Sequence, residues 1–123
     1  CVNDVTAIEF LFEDKAFQQW TRCKGYDTFT PIGPCIVTGI DPKGMQVKAL
    51  QNGETRQDYP VSDMIFSPLQ IVSMMSHYQT LRPGDLISCG TSVGARTMKP
   101  GTTIDIVIPG IGVLSNPFDD LPE

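Results

Sequence analysis

The sequence contains a single histidine and a single tryptophan in 123 residues, and its four cysteines (Cys1, Cys23, Cys35, Cys89) are scattered, with no C-x-x-C pair. That excludes a zinc site of the Cys/His type and a disulfide framework. It fits reduced thiols and a cytoplasmic setting. Cations are scarce: nine Lys and Arg stand against fourteen Asp and Glu, a net charge of −5. A nucleic-acid or membrane-surface partner would require basic patches, so neither is expected. No apolar run approaches the roughly 20 residues of a membrane span, and no signal peptide is visible. The chain begins with Cys rather than Met, so upstream sequence is expected. No internal repeat, low-complexity run or second-domain boundary interrupts it, and one domain covering residues 1–123 is expected.

Against this plain background, one stretch is dense in features. Trp20–Pro34 reads W-T-R-C-K-G-Y-D-T-F-T-P-I-G-P. It is too aromatic for a flexible linker, and Gly25, Pro31, Gly33 and Pro34 break it into defined turns rather than a long helix or strand. Lys24 stands directly before Gly25, with the hydroxyls of Thr21, Thr28 and Thr30 and the carboxylate of Asp27 nearby in sequence. Loops held by a rigid scaffold are where sites are built. A surface loop with an ordinary solvated lysine is the alternative.

Secondary-structure signals are mostly those of strands. Asn52-Gly53 between Met45–Leu50 and Glu54–Tyr59 is a strong hairpin signal. Asp41-Pro42-Lys43-Gly44 has the residue types of a type I turn. Cys1–Val5, Cys35–Thr38, Asp85–Cys89, Thr102–Pro109 and Ile111–Leu114 also read as strands, the third and fourth each entered through Pro-Gly. Ile104, Ile106 and Ile108 alternate with Asp105 and Val107, as in a sheet with one inward face. One or two short helical turns fit Glu9–Gln19, whose periodicity is poor.

The main helix is predicted over Pro68–Thr80. Ser67 suits the N-cap, Pro68 the first helical position, and Gln70 completes a capping box; Leu69, Val72 and Met75 supply an apolar face, and Pro83 stops the helix. Asn116–Glu123 reads as a polar tail.

Four segments in order carry a resemblance: Asn3-Asp4-Val5-Thr6-Ala7, the Trp20–Pro34 stretch, Asp63-Met64-Ile65-Phe66-Ser67, and Leu81–Gly94 with its R-P-G-D…G-T run. Together they resemble the C-terminal half of the fumarylacetoacetate hydrolase family, from about Cys1 to Pro117. The resemblance implies an α+β, mostly β fold, a mixed β-sandwich roll with one main helix, and a homodimer in the intact protein. It implies an enzyme acting on small 2-oxo or 1,3-dicarbonyl acids by C–C hydrolysis, decarboxylation or tautomerisation. It also implies a magnesium or manganese ion held by three carboxylates, two of them from an upstream E-x-E.

Carried over residue by residue, Asp4 matches the third metal ligand, and Lys24 matches the lysine that reaches the substrate and stabilises the developing enolate. Thr28 would lie in the metal's outer shell. Thr91 matches a residue that hydrogen-bonds the substrate carboxylate, with a strand-end threonine bonding its own backbone as the alternative. No E-x-E occurs in these residues, so they cannot assemble the metal site by themselves, and alone they are expected to be inactive.

The pattern is not followed throughout. Members often continue the first motif with Arg, an acid and a Gln, where this chain has Ile8, Glu9 and Leu11, which removes polar contacts near the substrate. His77 reads as structural. Cys23 has no accompanying base for nucleophilic work. Arg22 and Arg96 are candidates for binding acids or simply solvated charges. The alternative to an enzyme is a non-catalytic β-rich module that keeps the fold for assembly or binding.

Overall fold

Residues 1–120 are described by a computed structural model. Its centre is a four-stranded sheet in the order β2-β1-β3-β4, with β1 at Gln46–Gln51, β2 at Glu54–Pro60, β3 at Thr102–Ile108 and β4 at Gly112–Phe118. Every pairing is antiparallel. The mostly β α+β class is thus as expected, while the sheet itself is antiparallel rather than mixed.

The β1–β2 hairpin turns at Asn52 and Gly53, both with positive φ (51° and 77°), the combination a two-residue type I′ turn demands. Asn52 also ties the turn to β3: its N–H donates to the Thr103 carbonyl at 2.9 Å, and its Oδ1 accepts from the Thr103 N–H at 2.8 Å. The registers Ala49↔Ile106 and Ile106↔Leu114 then align one apolar face. Ile104, Ile106 and Leu114 form the buried cluster there, with Cys1, Ala49 and Met98 packed against it.

The main helix, α3, begins where the sequence places it. The Ser67 hydroxyl accepts from the Gln70 N–H, and the Gln70 side chain accepts from the Ser67 N–H at 2.8 Å. It ends at Ser76, four residues short of the expected Thr80. The Ser76 hydroxyl and the His77 ring both bond the Ser73 carbonyl at 2.7 Å. Such local side-chain bonds compete with the helical ladder. The expected apolar face is not buried either: Leu69 is 80% exposed, and no residue of α3 is fully buried. Two shorter helices precede the sheet, α1 at Ile8–Leu11 and α2 at Trp20–Lys24. They pack on each other, and each contributes one essentially inaccessible side chain, Leu11 from α1 and Cys23 from α2.

Three expected strands do not form. Cys1–Val5 makes one antiparallel bridge, Val2 with Ile32, rather than a ladder, while Cys35–Thr38 and Asp85–Cys89 have no ladder partner among the described residues. Strand propensity alone does not make a strand without a neighbouring edge. Conversely β4 runs to Phe118, past the expected Leu114 and into the expected polar tail, whose last residues 121–123 lie outside the described residues.

Candidate functional site

Lys24 is the last residue of α2, which stops at Gly25. An added Cβ on Gly25 would stand 3.0 Å from the Thr21 carbonyl oxygen, so glycine lets the chain turn away tightly there. The helix is fixed from the other side by the first segment: the Ala7 N–H donates to the Cys23 carbonyl at 2.9 Å. That first segment also runs antiparallel to the end of the loop, through Asn3 N–H to Pro31 O at 3.2 Å and Gly33 N–H to Cys1 O at 3.1 Å. Residues 1–7 are therefore gripped by both ends of Trp20–Gly33. The result is a direct ion pair between the Lys24 ammonium and the Asp4 carboxylate.

Both side chains of the pair are about one-third exposed. At that exposure an ion pair contributes at most about 1 kcal/mol to stability. The ammonium also lies 5.7 Å from the centre of the Trp20 ring, within cation–π range. Beside it, Phe10, Tyr26 and Phe29 form a chain of tilted aromatic contacts with centroids 5.8 and 5.4 Å apart. Arg22 stacks over Phe10 at 5.1 Å and pairs with Glu13 at 3.6 Å, so it is occupied locally.

Thr28 and Thr30 both adopt positive φ, 68° and 55°. For a β-branched residue this conformation is a true outlier, costing on the order of 1–3 kcal/mol each, and such strain concentrates at functional segments. Thr28 makes no side-chain hydrogen bond to Asp4 or Lys24 among the described residues. Thr30 lines an apolar cleft of about 910 Å³, together with Val2, Ile36, Ile106, Cys89 and Thr91. The cleft thus includes residues two positions from Asp4 and two from Thr28, although neither Asp4 nor Lys24 lines it.

Thr91 is held by a residue that the sequence does not single out. The Gln57 amide, on β2, donates to Thr91 Oγ1 at 3.0 Å, to the Ser92 carbonyl at 2.7 Å and to the Val93 carbonyl at 3.2 Å. Nothing in the residue type marks Gln57; the hairpin register delivers it to that loop. Partial enclosure of the Cys89 sulfur in the cleft wall pushes its thiol above the ordinary value of 9.0, which keeps it protonated and poorly nucleophilic at neutral pH. His77 caps α3, and Cys23 is fully buried packing.

Among the described residues, no group of three or more His, Cys, Asp or Glu side chains converges as a metal site. Asp4 offers one carboxylate, whereas a hard divalent cation takes six or more oxygens. The residues present therefore suit one ligand position and do not make a complete site. No helix of the described residues is long and apolar enough to cross a membrane.

Comparison with known proteins identifies the family. The family described as "Fumarylacetoacetate (FAA) hydrolase C-terminal" matches residues 1–119. A 2-hydroxyhepta-2,4-diene-1,7-dioate isomerase from Mycobacterium marinum superposes with a TM-score of 0.89 at 44% identity, over 94% of this chain and 45% of that one. An oxaloacetate tautomerase of Bacillus subtilis is 38% identical over 94% of this chain and 40% of its own length. A 4-hydroxyphenylacetate degradation bifunctional isomerase/decarboxylase of Salmonella dublin is 36% identical over 93% of this chain and 27% of its own. The chain spans half or less of the length of each of these relatives.

Proposed function

Since this chain belongs to the fumarylacetoacetate hydrolase family, we propose that it supplies the C-terminal part of an enzyme site for small 2-oxo or 1,3-dicarbonyl acids. The reaction would be tautomerisation, decarboxylation or C–C hydrolysis. The observation that carries the proposal is the meeting of Lys24 with Asp4, 20 residues apart in sequence, beside a loop strained at Thr28 and Thr30. Isomerase, tautomerase and decarboxylase names among the relatives support the same class of chemistry.

Each of these reactions develops negative charge on an oxygen next to the breaking or migrating bond. A fixed ammonium aimed at that oxygen stabilises the charge without reorganising during the step. Lys24 is suited to this because Asp4, the Trp20 face and the end of α2 fix its position. Asp4 would hold one coordination position of a magnesium or manganese ion, with Thr28 in the outer shell; the other ligands and the proton-transferring base come from outside these residues. When bound, such an ion would supply Lewis acidity toward a carbonyl oxygen. Thr91, oriented by Gln57, would donate its hydroxyl to the substrate carboxylate. A homodimer of the intact protein belongs to the same proposal.

The test is Lys24→Met in the whole protein, assayed on a panel of 2-oxo and 1,3-dicarbonyl acids with magnesium and manganese. Turnover is expected to fall about a hundredfold or more, while the unfolding midpoint shifts little, as an ion pair one-third exposed to solvent implies. Normal turnover by the variant would make Lys24 a surface lysine. A wild-type protein inert on the whole panel would favour the binding-module alternative.

A further inference from the structure

The chain has only nine Lys and Arg in all, yet three of them, Arg56, Arg96 and Lys99, line one open pocket of about 460 Å³ at the turn end of the β1–β2 hairpin. Among the described residues, no Asp or Glu lines it. In an acidic protein, like charges gathered this way repel one another, and random surface placement would intersperse them with carboxylates.

The grouping is built by the loop that follows Thr91. At its start, Gln57 holds residues 91–93, and Gly94 (φ +101°) lies so close to β2 that an added Cβ would stand 2.4 Å from the Arg56 carbonyl oxygen. Further on, the Gln51 amide donates to the Thr97 carbonyl at 3.2 Å. At its end, the Lys99 N–H donates to Thr102 Oγ1 at 3.2 Å, and the Thr102 N–H returns a bond to the Lys99 carbonyl at 3.1 Å. Thr102 is itself buried, at 5% exposure. The loop is therefore fastened on both sides of Arg96, and the fastening sets Arg96 and Lys99 beside Arg56.

Arg56 is partly neutralised by Glu54 at 2.9 Å, whereas Arg96 and Lys99 make no ion pair among the described residues. Three cations and one carboxylate leave a local charge of +2. We propose that this pocket is a binding site for a small dianion, a phosphate monoester or a dicarboxylate. The Arg96 guanidinium fork matches the paired oxygens of either group, Arg56 adds the part of its fork not taken by Glu54, and the Lys99 ammonium adds a mobile point charge. The pocket is open to solvent, so it recognises charge more than shape. It shares no lining residue with the apolar cleft, and the proposal stands whether or not the enzymatic one does.

The test is amide-resolved NMR of the 15N-labelled whole protein at pH 8, titrated with inorganic phosphate and, separately, malonate, at constant ionic strength to remove general screening. Saturable shifts confined to residues 51–56 and 94–102 are expected, with Arg96→Gln and Lys99→Gln each weakening binding about three- to fivefold, the scale of an exposed charge contact. Lys43→Gln, a cation outside the pocket, should leave binding unchanged. Tighter binding of phosphate assigns the monoester class, and tighter binding of malonate assigns the dicarboxylate class. Acetate binding as tightly as either dianion, a response that does not saturate, or variants that bind like the wild type would overturn the proposal.

Discussion

Replacing Gln57 by Leu shortens the side chain by one atom and removes its donors. The wild-type amide reaches three acceptors, Thr91 Oγ1, the Ser92 carbonyl and the Val93 carbonyl, at 3.0, 2.7 and 3.2 Å. An NH₂ group has two protons, so two good bonds, one of them shared, is the upper count. Each net bond stabilises by about 0.5–1.5 kcal/mol, which bounds the loss near 1–3 kcal/mol. The loop is largely exposed, so water can reach the released carbonyls, and about 1–2 kcal/mol is expected. Urea denaturation reads that as a lower midpoint with an unchanged slope. Hydrogen exchange should show lost protection concentrated in the 92–97 amides. Gln57→Glu should behave no better at neutral pH, because a carboxylate has no proton to give a carbonyl. If Gln57→Leu matches the wild type in both midpoint and exchange, the clamp contributes nothing and Thr91 is positioned by something else.

Gly94→Ala should destabilise strongly. Left-handed strain costs about 1–3 kcal/mol by itself, and the new methyl would also meet the backbone oxygen of Arg56 at 2.4 Å. Gly39→Ala isolates the strain, since φ is +74° there with nothing within 4 Å; its unfolding midpoint should fall less. Ile106→Ala, at the junction of Ala49 and Leu114 in the sheet, should cost about 2–5 kcal/mol in chemical denaturation. Asp58 gives a pH signature. A hydrogen bond from Gln46, then one from Lys48, hold its carboxyl below the ordinary value of 3.8. With the folded pKa below the unfolded one, its contribution is present above that value and is lost as pH falls through the folded pKa. The stability gap between wild type and Asp58→Asn should therefore be flat from neutrality to about pH 5 and close in stronger acid.

What the sequence announces correctly are features whose chemistry is complete within a few residues. Asn52-Gly53 dictates its turn because both positions take positive φ, and Ser67-Pro68-Leu69-Gln70 starts its helix because the capping box is self-contained. The alternation along β3 needs only one apolar neighbour face. The misread segments depend on distant partners. Cys35–Thr38 and Asp85–Cys89 have strand-like composition without an adjacent edge to pair with, and the end of α3 is decided by which side chains take the Ser73 carbonyl. The same distinction holds for the site. Asp4 and Lys24 are legible through the resemblance, and the fold brings them together. Gln57 is invisible in sequence because its role exists only once β2 and the 91–94 loop are in register.

The balance of apolar surface links fold and proposed chemistry. Among the described residues five hydrophobic side chains are buried, while Ile36, Ile65 and Val93, all lining the cleft, are each more than 80% exposed. Contiguous apolar walls of this kind mark binding surfaces rather than ordinary exterior. The wall includes Val2 and Thr30, close in sequence to Asp4 and Thr28, so polar and apolar elements adjoin. For the proposed reaction this arrangement matters in one specific way. Coulombic attraction weakens in proportion to the local dielectric, and at its present exposure the Lys24–Asp4 pair is largely screened by water. A substrate whose carbon skeleton covered the adjoining apolar wall would expel that water and strengthen the same ammonium's hold on a developing oxyanion. Rate enhancement by Lys24 should therefore depend on the apolar portion of the substrate, with short acids that leave the wall uncovered gaining least.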